Sequence, residues 1–587
     1  MPANDVLPAN WAEHPVSDFG EAVVTAMGAA GIDHIFFTSG SELCFYQEAV
    51  AKARTMGRSA PKLVTITHEH VGLNAALGYA AVSGRPAVTA VHVDAGTLHQ
   101  GGAIHTAYRS GLPVLMTAGG PPTAYPGSTR AARGAGGHLW MQEVYDQHGI
   151  VRQYMKWDHR LEVQDNPGLM VGRALQLACS PPCGPVYLSL PQDLSYRRIE
   201  SVKFPTLAQL GVARPPAPDP DGIKEIASRL VQAKNPFVVM SGSGRNPATV
   251  LPLVQLCELL GMPAVNSISR AYLSFPMSHP LYQVECDLSS ADIVLVIDAD
   301  IPWMPGPKAP APGCYVAVVD VDPVKQKFPT YEFPADLRLI ADPLLSIRAI
   351  SRSVEEMISG QEASRYVGRS AQWAKVSRDR FSALQAEAAA RRNAQRIDSL
   401  WLGSEIGEML AEDDIVIDDT LPSSRFYQFV RLGRPGSYFC NPGTSGGWAP
   451  GAALGAKCAA PDRDVIAVSG DGFYMFGTPA AALWAAAHHK RPFMMIVFQN
   501  RTYSTGTARL NAFYPDSYSK GQNFDYEGGY FDPPIDFAKE AEAAGAYGEN
   551  VLAPQQVGAA LRRGREQIRR GIPAVISVRL PRIFKED

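Results

Sequence analysis

Short apolar runs recur along this chain, and most are followed by longer stretches with helical spacing or alanine-rich composition. The runs His34–Phe37, Leu63–Thr67, Ala87–His92, Val114–Ala118 and Val186–Leu190 read as buried strands, with Glu21–Ala30 and Val71–Ala81 as helices. Together they make a first block, residues 17–195. The Pro-rich stretch Ala213–Pro220 reads as a linker. A second block, residues 221–350, repeats the alternation with strands at Pro236–Met240, Ala291–Ile297 and Tyr315–Val319. The charged, helix-favouring segment Glu355–Arg396 leads to a third block, residues 397–583. Strand alternating with helix in every block predicts an α/β protein of three doubly wound parallel-sheet domains.

The third block holds the most informative unit. The strand-like run Asp464–Ser469 ends at Gly470-Asp471-Gly472, an alanine-rich helix follows over Thr478–His489, and the run Phe493–Phe498 ends at Asn500. A βαβ unit brings the carboxyl ends of two parallel strands to one sheet edge, where open α/β sheets bind ligands. A carboxylate and an amide oxygen there suit Mg²⁺, a hard cation that shares itself with phosphates. A lone Gly-Asp-Gly is weak, since ordinary turns contain it. Glu69 follows the strand Leu63–Thr67 and opens a helix. By itself it reads as a first-turn glutamate favoured by the helix dipole.

Composition narrows the function classes. The chain has 587 residues, a length for three or four domains, with 46% hydrophobic and 19% charged residues and net charge −3. With no basic excess, nucleic acid is not an expected partner. No apolar run reaches the ~18 residues of a membrane span. Met1–Val16 lacks a charged-then-apolar leader pattern. The eight cysteines form no C-x-x-C pair, which points away from zinc and disulfide frameworks and towards a reducing cytoplasm.

The Gly-Asp-Gly…Asn combination resembles the diphosphate-binding motif of thiamine-diphosphate (ThDP) enzymes. The resemblance implies Mg²⁺ held by Asp471, Asn500 and the Thr502 carbonyl. The family's two adjacent asparagines are Gln499-Asn500 here. The segment Thr67-His68-Glu69-His70-Val71 through Gly78-Tyr79-Ala80 resembles the pyrimidine-binding region of decarboxylase-type members, in which a carboxylic acid meets N1′ of the aminopyrimidine. Gln142-Glu143 with Lys156-Trp157, the stretch Gly184–Asp193, the stretch Val318–Pro323 and the segment 443–459 extend the likeness from about residue 18 to 583. The group most resembled holds acetolactate synthase and its decarboxylase, carboligase and lyase relatives. What this implies is a pyrimidine-binding domain at 17–195, a central domain at 221–350 and a diphosphate-binding domain at 397–583. Glu69 would activate the cofactor. Ser445, Gly446, Gly447, Trp448, Gly470, Asp471, Gly472, Phe473, Asn500, Thr502 and Tyr503 would surround it. The substrate would be a small 2-keto acid or related carbonyl compound, handled by a lyase or transferase. A homodimer is the expected minimum, with a homotetramer as the fuller assembly.

Departures from the pattern mark what is specific to this chain. His99 stands where many relatives have Asn, as in 2-hydroxyacyl-CoA lyases. It reads as a catalytic acid or base or as a structural histidine. His68 and His70 flank Glu69 as further candidates, and His92 is a weaker one. The apolar wedge beneath the cofactor falls on Gly446 or Ser445, so Trp448 or Phe473 would have to replace it. The insertion Tyr503–Pro534 reads as a structureless active-site cover or a surface excursion. Gly242-Ser243-Gly244 lacks the third glycine of a dinucleotide fingerprint, so NAD chemistry is poorly supported. Relatives hold FAD, ADP or nothing in the middle domain, and nothing in the sequence supports either nucleotide. Besides the 2-hydroxyacyl-CoA lyase, the competing reading is a catalytically silent subunit, opposed by intact Glu69, Asp471 and Asn500.

Overall fold

The computed structural model describes residues 10–134, 137–267, 271–285, 287–360, 363–520 and 526–584. It contains three six-stranded parallel sheets. The first is built from β1 (His34–Phe37), β2 (Lys62–Thr65), β3 (Ala87–Val91), β4 (Val114–Gly120), β5 (Trp157–Arg160) and β6 (Val186–Pro191), in the order β2-β1-β3-β4-β6-β5. The central sheet has β7 (Pro236–Met240), β8 (Ala264–Asn266), β9 (Tyr282–Gln283), β10 (Ile293–Ile297), β11 (Tyr315–Asp320) and β12 (Leu337–Ile340), ordered β9-β8-β7-β10-β11-β12. The third has β13 (Ile415–Asp419), β14 (Tyr438–Cys440), β15 (Val465–Gly470), β16 (Met494–Gln499), β17 (Tyr547–Val551) and β18 (Ala574–Arg579), ordered β14-β13-β15-β16-β18-β17. The first and third sheets therefore repeat one strand order. In that order the winding reverses between β1 and β3, and again between β13 and β15. Such reversals open a crevice at the carboxyl ends of the strands.

The strands form where they do because their runs are apolar on both faces. Val88, Leu115, Val186, Val465, Ile466, Met494 and Ile496 are all fully buried. Val468 pairs with Ile496 in the parallel β15–β16 ladder, so the expected βαβ unit is present. Its helices are α4 (Asp471–Phe476) and α5 (Pro479–His488). Earlier in the chain lie α1 (Glu69–Ser83), α2 (Val93–His99) and α3 (Ala449–Ala459).

The chain divides into two compact units. The first is Met1–Arg214 with Gly443–Pro461 and Gly477–Arg491, and it holds the first sheet with α1, α2, α3 and α5. The second is Pro215–Pro442, Asp462–Phe476 and Pro492–Asp587, and it holds the central and third sheets. Within the first unit α1 crosses α3 at very close range. A Cβ on Gly78 would lie 2.1 Å from the Ala452 carbonyl oxygen, and one on Gly455 would lie 1.9 Å from that of Ala75. The Gly-Tyr-Ala signature is thus a helix-crossing requirement. Seven cysteines are free thiols, and Cys286 lies outside the described residues. Among the described residues no helix is long and apolar enough to cross a membrane.

Candidate active site

Asp471 starts α4 at the end of β15, beside the reversal of the third sheet. Its buried carboxylate accepts hydrogen bonds from the N–H of Gly472 (2.9 Å) and of Arg501 (2.5 Å). Burial pushes its pKa up to about 6. Those backbone donors, its own N–H and the Arg501 charge pull the other way without cancelling the effect. Arg501 holds φ at 55°, a left-handed conformation that costs about 1 kcal/mol for a residue with a Cβ. That turn lets one residue reach Asp471 while Asn500 and Thr502 flank it. The Asn500 side-chain oxygen accepts the Thr502 N–H (2.9 Å), and the Thr502 hydroxyl donates to the Asn500 carbonyl (2.9 Å). A cavity of about 400 Å³ opens here, lined by Asp419, Thr420, Gly470, Asp471, Phe473, Asn500, Thr502 and Tyr503 among others.

These residues fit a diphosphate with its cation. A Cβ on Gly470 would meet nothing within 4 Å, so the chain leaves room beside a carboxylate whose charge burial disfavours. Among the described residues no group of three or more His, Cys, Asp or Glu is arranged to hold a metal. A cation at Asp471 would meet its carboxylate and the neutral oxygens of Asn500 and Thr502, a set that Mg²⁺ completes with phosphate and water.

The insertion differs from the expected structureless cover. Its first part is a helix, α6 (Ser504–Phe513), and its base is pinned. Tyr503 N–H donates to Gly529 (2.9 Å), Phe531 N–H donates to Arg501 (2.9 Å), and the Tyr503 ring stands edge-on against Phe531 at 4.4 Å. Residues 521–525 of the insertion lie outside the described residues. Backbone pairing with the turn after β16, which the linear sequence does not display, supplies the order.

The first unit carries the other group of candidates. His68 caps α1, its Nδ1 accepting the His70 N–H (3.3 Å). Glu69 is buried as the first helical residue, and His99 Nδ1 lies 3.2 Å from its Oε2. The exposed His99 ring stacks on His68 at 5.6 Å. A Cβ on Gly96 would approach Glu69 Oε1 to 3.2 Å, so this glycine lets α2 pass over the carboxyl group. His70 is buried, with Nε2 3.2 Å from the Gly447 carbonyl oxygen and 3.0 Å from Asn74 Nδ2. Burial lowers the pKa of His68 and of His70. Ser445, Gly446, Gly447 and Trp448 belong to this unit, and none of them lines the Asp471 cavity. Of the two substitute wedges, Phe473 lines that cavity, whereas Trp448 is buried at the start of α3.

Sequence reasoning missed Glu42. It sits after β1 at the reversal of the first sheet, almost fully buried, with Oε2 2.6 Å from His92 Nδ1 and Oε1 accepting the Val93 N–H (3.1 Å). His92 Nε2 is 2.9 Å from Gln142 Oε1. Oxygen acceptors on both ring nitrogens favour the imidazolium, and the Glu42 hydrogen bond raises the pKa of His92. Gly40 and Gly119 make the space, since a Cβ on either would clash with His92 or Glu42. The available signal was Ser39-Gly40-Ser41-Glu42 directly after a strand.

The central sheet has the strand order of dinucleotide-binding folds. The N–H groups that would face a pyrophosphate are engaged: Gly242 donates to Asp298 O (2.6 Å) and Gly244 to Ser274 Oγ (3.0 Å). Lys325 is buried there between Asp320 (2.6 Å) and Asp300 (2.8 Å), and Arg245 pairs with Asp298 (3.3 Å). Among the described residues, three carboxylates and two cations pair with one another there.

Two family models match the chain. "Thiamine pyrophosphate enzyme, N-terminal TPP binding domain" covers residues 17–150, and "Thiamine pyrophosphate enzyme, C-terminal TPP binding domain" covers residues 422–578. Benzoylformate decarboxylase of Pseudomonas aeruginosa is 28% identical over 455 residues, 74% of this chain and 78% of that protein. Sulfoacetaldehyde acetyltransferase of Castellaniella defragrans is 26% identical over 576 residues, 92% of this chain and 90% of the other. The large subunit of acetolactate synthase isozyme 3 from Escherichia coli is 23% identical over 569 residues, 94% and 92%. In fold the chain is similar to the solved thiamine diphosphate-dependent 4-hydroxybenzoylformate decarboxylase of Rhodococcus jostii. The TM-score is 0.76 at 21% identity, covering 97% of this chain and all of that one.

Proposed function

This chain belongs to the thiamine-diphosphate-dependent enzymes, and from that premise we propose that it is a Mg²⁺-dependent decarboxylase and carboligase of 2-keto acids. The observation that carries the reading is the buried Asp471 carboxylate, raised to about 6 and facing a cavity at the sheet reversal, with Asn500 and Thr502 beside it. When bound, ThDP supplies an acidic carbon that adds to a carbonyl and accepts the electrons released as the neighbouring bond breaks. Asp471, Asn500 and the Thr502 carbonyl would hold its cation, and Gly470–Phe473 would border the diphosphate. Glu69 would hold a proton at its carboxyl group against the pyrimidine ring. His99, in contact with Glu69, would orient that carboxyl.

The same reading gives the substrate an anchor. His92, backed by Glu42 at the reversal of the first sheet, would meet the carboxylate of a 2-keto acid in exchange for its contact with Gln142. His68 and His70 are tied to helix capping and to the Gly447 carbonyl, which suits structural roles. Ser445–Trp448 would contribute through that contact. The resemblance implies a cofactor site completed between copies, so the proposed working unit is a homodimer, assembled as a homotetramer in a reducing cytoplasm. The test is to incubate the chain with ThDP, Mg²⁺ and a panel of aliphatic and aromatic 2-keto acids, sulfonated aldehydes and 2-hydroxyacyl-CoAs, and to identify products by mass spectrometry. Carbon dioxide with an aldehyde or acyloin is expected. Turnover confined to the acyl-CoAs would replace this reading with the lyase.

A further inference from the structure

The first unit holds a second chain of polar side chains that shares no residue with Glu69, His92 or their partners. Ser189 lies near the carboxyl end of β6, His148 in a short 3₁₀ turn, and Asp158 on β5. His148 Nε2 is 2.8 Å from Ser189 Oγ, and His148 Nδ1 is 2.9 Å from Asp158 Oδ2. A carboxylate can only accept, so Nδ1 carries the proton and the Nε2 lone pair faces the serine O–H. That is the tautomer a serine nucleophile needs. The imidazole is buried against the edge of Tyr187, with ring centroids 4.9 Å apart. Burial lowers its pKa, which keeps it neutral and basic near pH 7, while Asp158 and Asp146 raise it and Arg152 lowers it.

The relay opens to a cavity of about 330 Å³, within the range of small-molecule sites. Ser189, His148 and Asp158 all line it, together with Arg152 and Arg160 and the carboxylates of Glu143, Asp146 and Glu162. Arg152 reaches Asp158 at 3.5 Å and Asp146 at 2.7 Å, so a guanidinium stands beside the relay.

We propose that Ser189, His148 and Asp158 form an acyl-transfer site for small uncharged carboxylic esters or thioesters. Ser189 Oγ bonds to the acyl carbon as its proton passes to His148 Nε2. The bond to the alcohol or thiol breaks, and the leaving group takes that proton. Water then gives a proton to the same nitrogen and bonds to the acyl carbon. The Oγ–C bond breaks, the proton returns to Ser189, and the acid is released.

The experiment uses the full chain loaded with ThDP and Mg²⁺, treated with diisopropyl fluorophosphate and assayed with p-nitrophenyl acetate. One adduct mapping to Ser189 is expected by peptide mass spectrometry. Ester hydrolysis should rise with pH through a midpoint below that of free histidine. Ser189→Ala should abolish both, and Asp158→Asn should slow hydrolysis at least tenfold, each with an unchanged melting temperature and unchanged 2-keto acid turnover. No adduct at Ser189, or hydrolysis that survives Ser189→Ala, overturns the proposal. The three residues would then be an internal hydrogen-bond chain.

Discussion

Asp471 carries a charge that its surroundings compensate only in part, and this makes its behaviour measurable. Its folded pKa, about 6, lies above the ordinary 3.8. For a raised carboxylate the protonated form is favoured by folding. The metal-free protein should therefore lose stability as pH rises from about 4 to about 6 and hold level above that, other groups being equal. Asp471→Asn removes the cost, and should stabilise the metal-free protein at pH 8 by about 1–2 kcal/mol while abolishing Mg²⁺-dependent ThDP binding. Differential scanning fluorimetry and calorimetry read the two effects. A wild-type cation affinity that does not fall between pH 7 and pH 5 would contradict the assignment. Glu69 supports a companion prediction. Glu69→Gln should keep ThDP affinity within a few-fold but slow deuterium exchange at the cofactor's C2 position at least a hundredfold, measured by NMR. Exchange at the wild-type rate would remove Glu69 from cofactor activation.

At the scale of elements, glycine decides how close two helices come. The α1–α3 crossing leaves no space for a side chain at Gly78 or Gly455, and the obstacle is backbone rather than a movable side-chain end. Gly78→Ala should destabilise by about 3 kcal/mol or more, because the helices must separate. It should also disturb the Glu69 end of α1 and the contact from His70 to Gly447. The check is a denaturant melt alongside the ThDP affinity. A loss under 0.5 kcal/mol would show that the crossing relaxes freely. The Arg501 turn works by a different device, storing a strained φ so that three consecutive residues face one sheet edge.

Over the whole molecule, two sheets repeat one strand order and place their candidate residues at equivalent points. Glu42 and His92 lie at the reversal of the first sheet, Asp419 and Asp471 at that of the third. The central sheet winds differently, and among its described residues Lys325 and Arg245 pair with Asp320, Asp300 and Asp298. Under the proposed reading the active assembly is at least a dimer. Light scattering should return a mass of twice the 63.3 kDa chain or a higher even multiple, and specific activity should fall on dilution below the dissociation constant. A fully active monomer would refute that part of the reading.

Features that depend on neighbouring residues were legible in the chain. Buried parallel strands need unbroken apolar runs, so β15 and β16, their parallel pairing and the residues that end them could be read directly. Glu69 at a helix start was equally local. Residue identity alone did not show who touches whom across the sheet. Glu42 meets His92 from 50 positions away, His99 meets Glu69 from 30, and His148 meets Ser189 from 41. Those meetings follow from strand order and from glycines that admit close approach. Periodicity reports which face of an element is buried, whereas only the packed fold determines what lies against it.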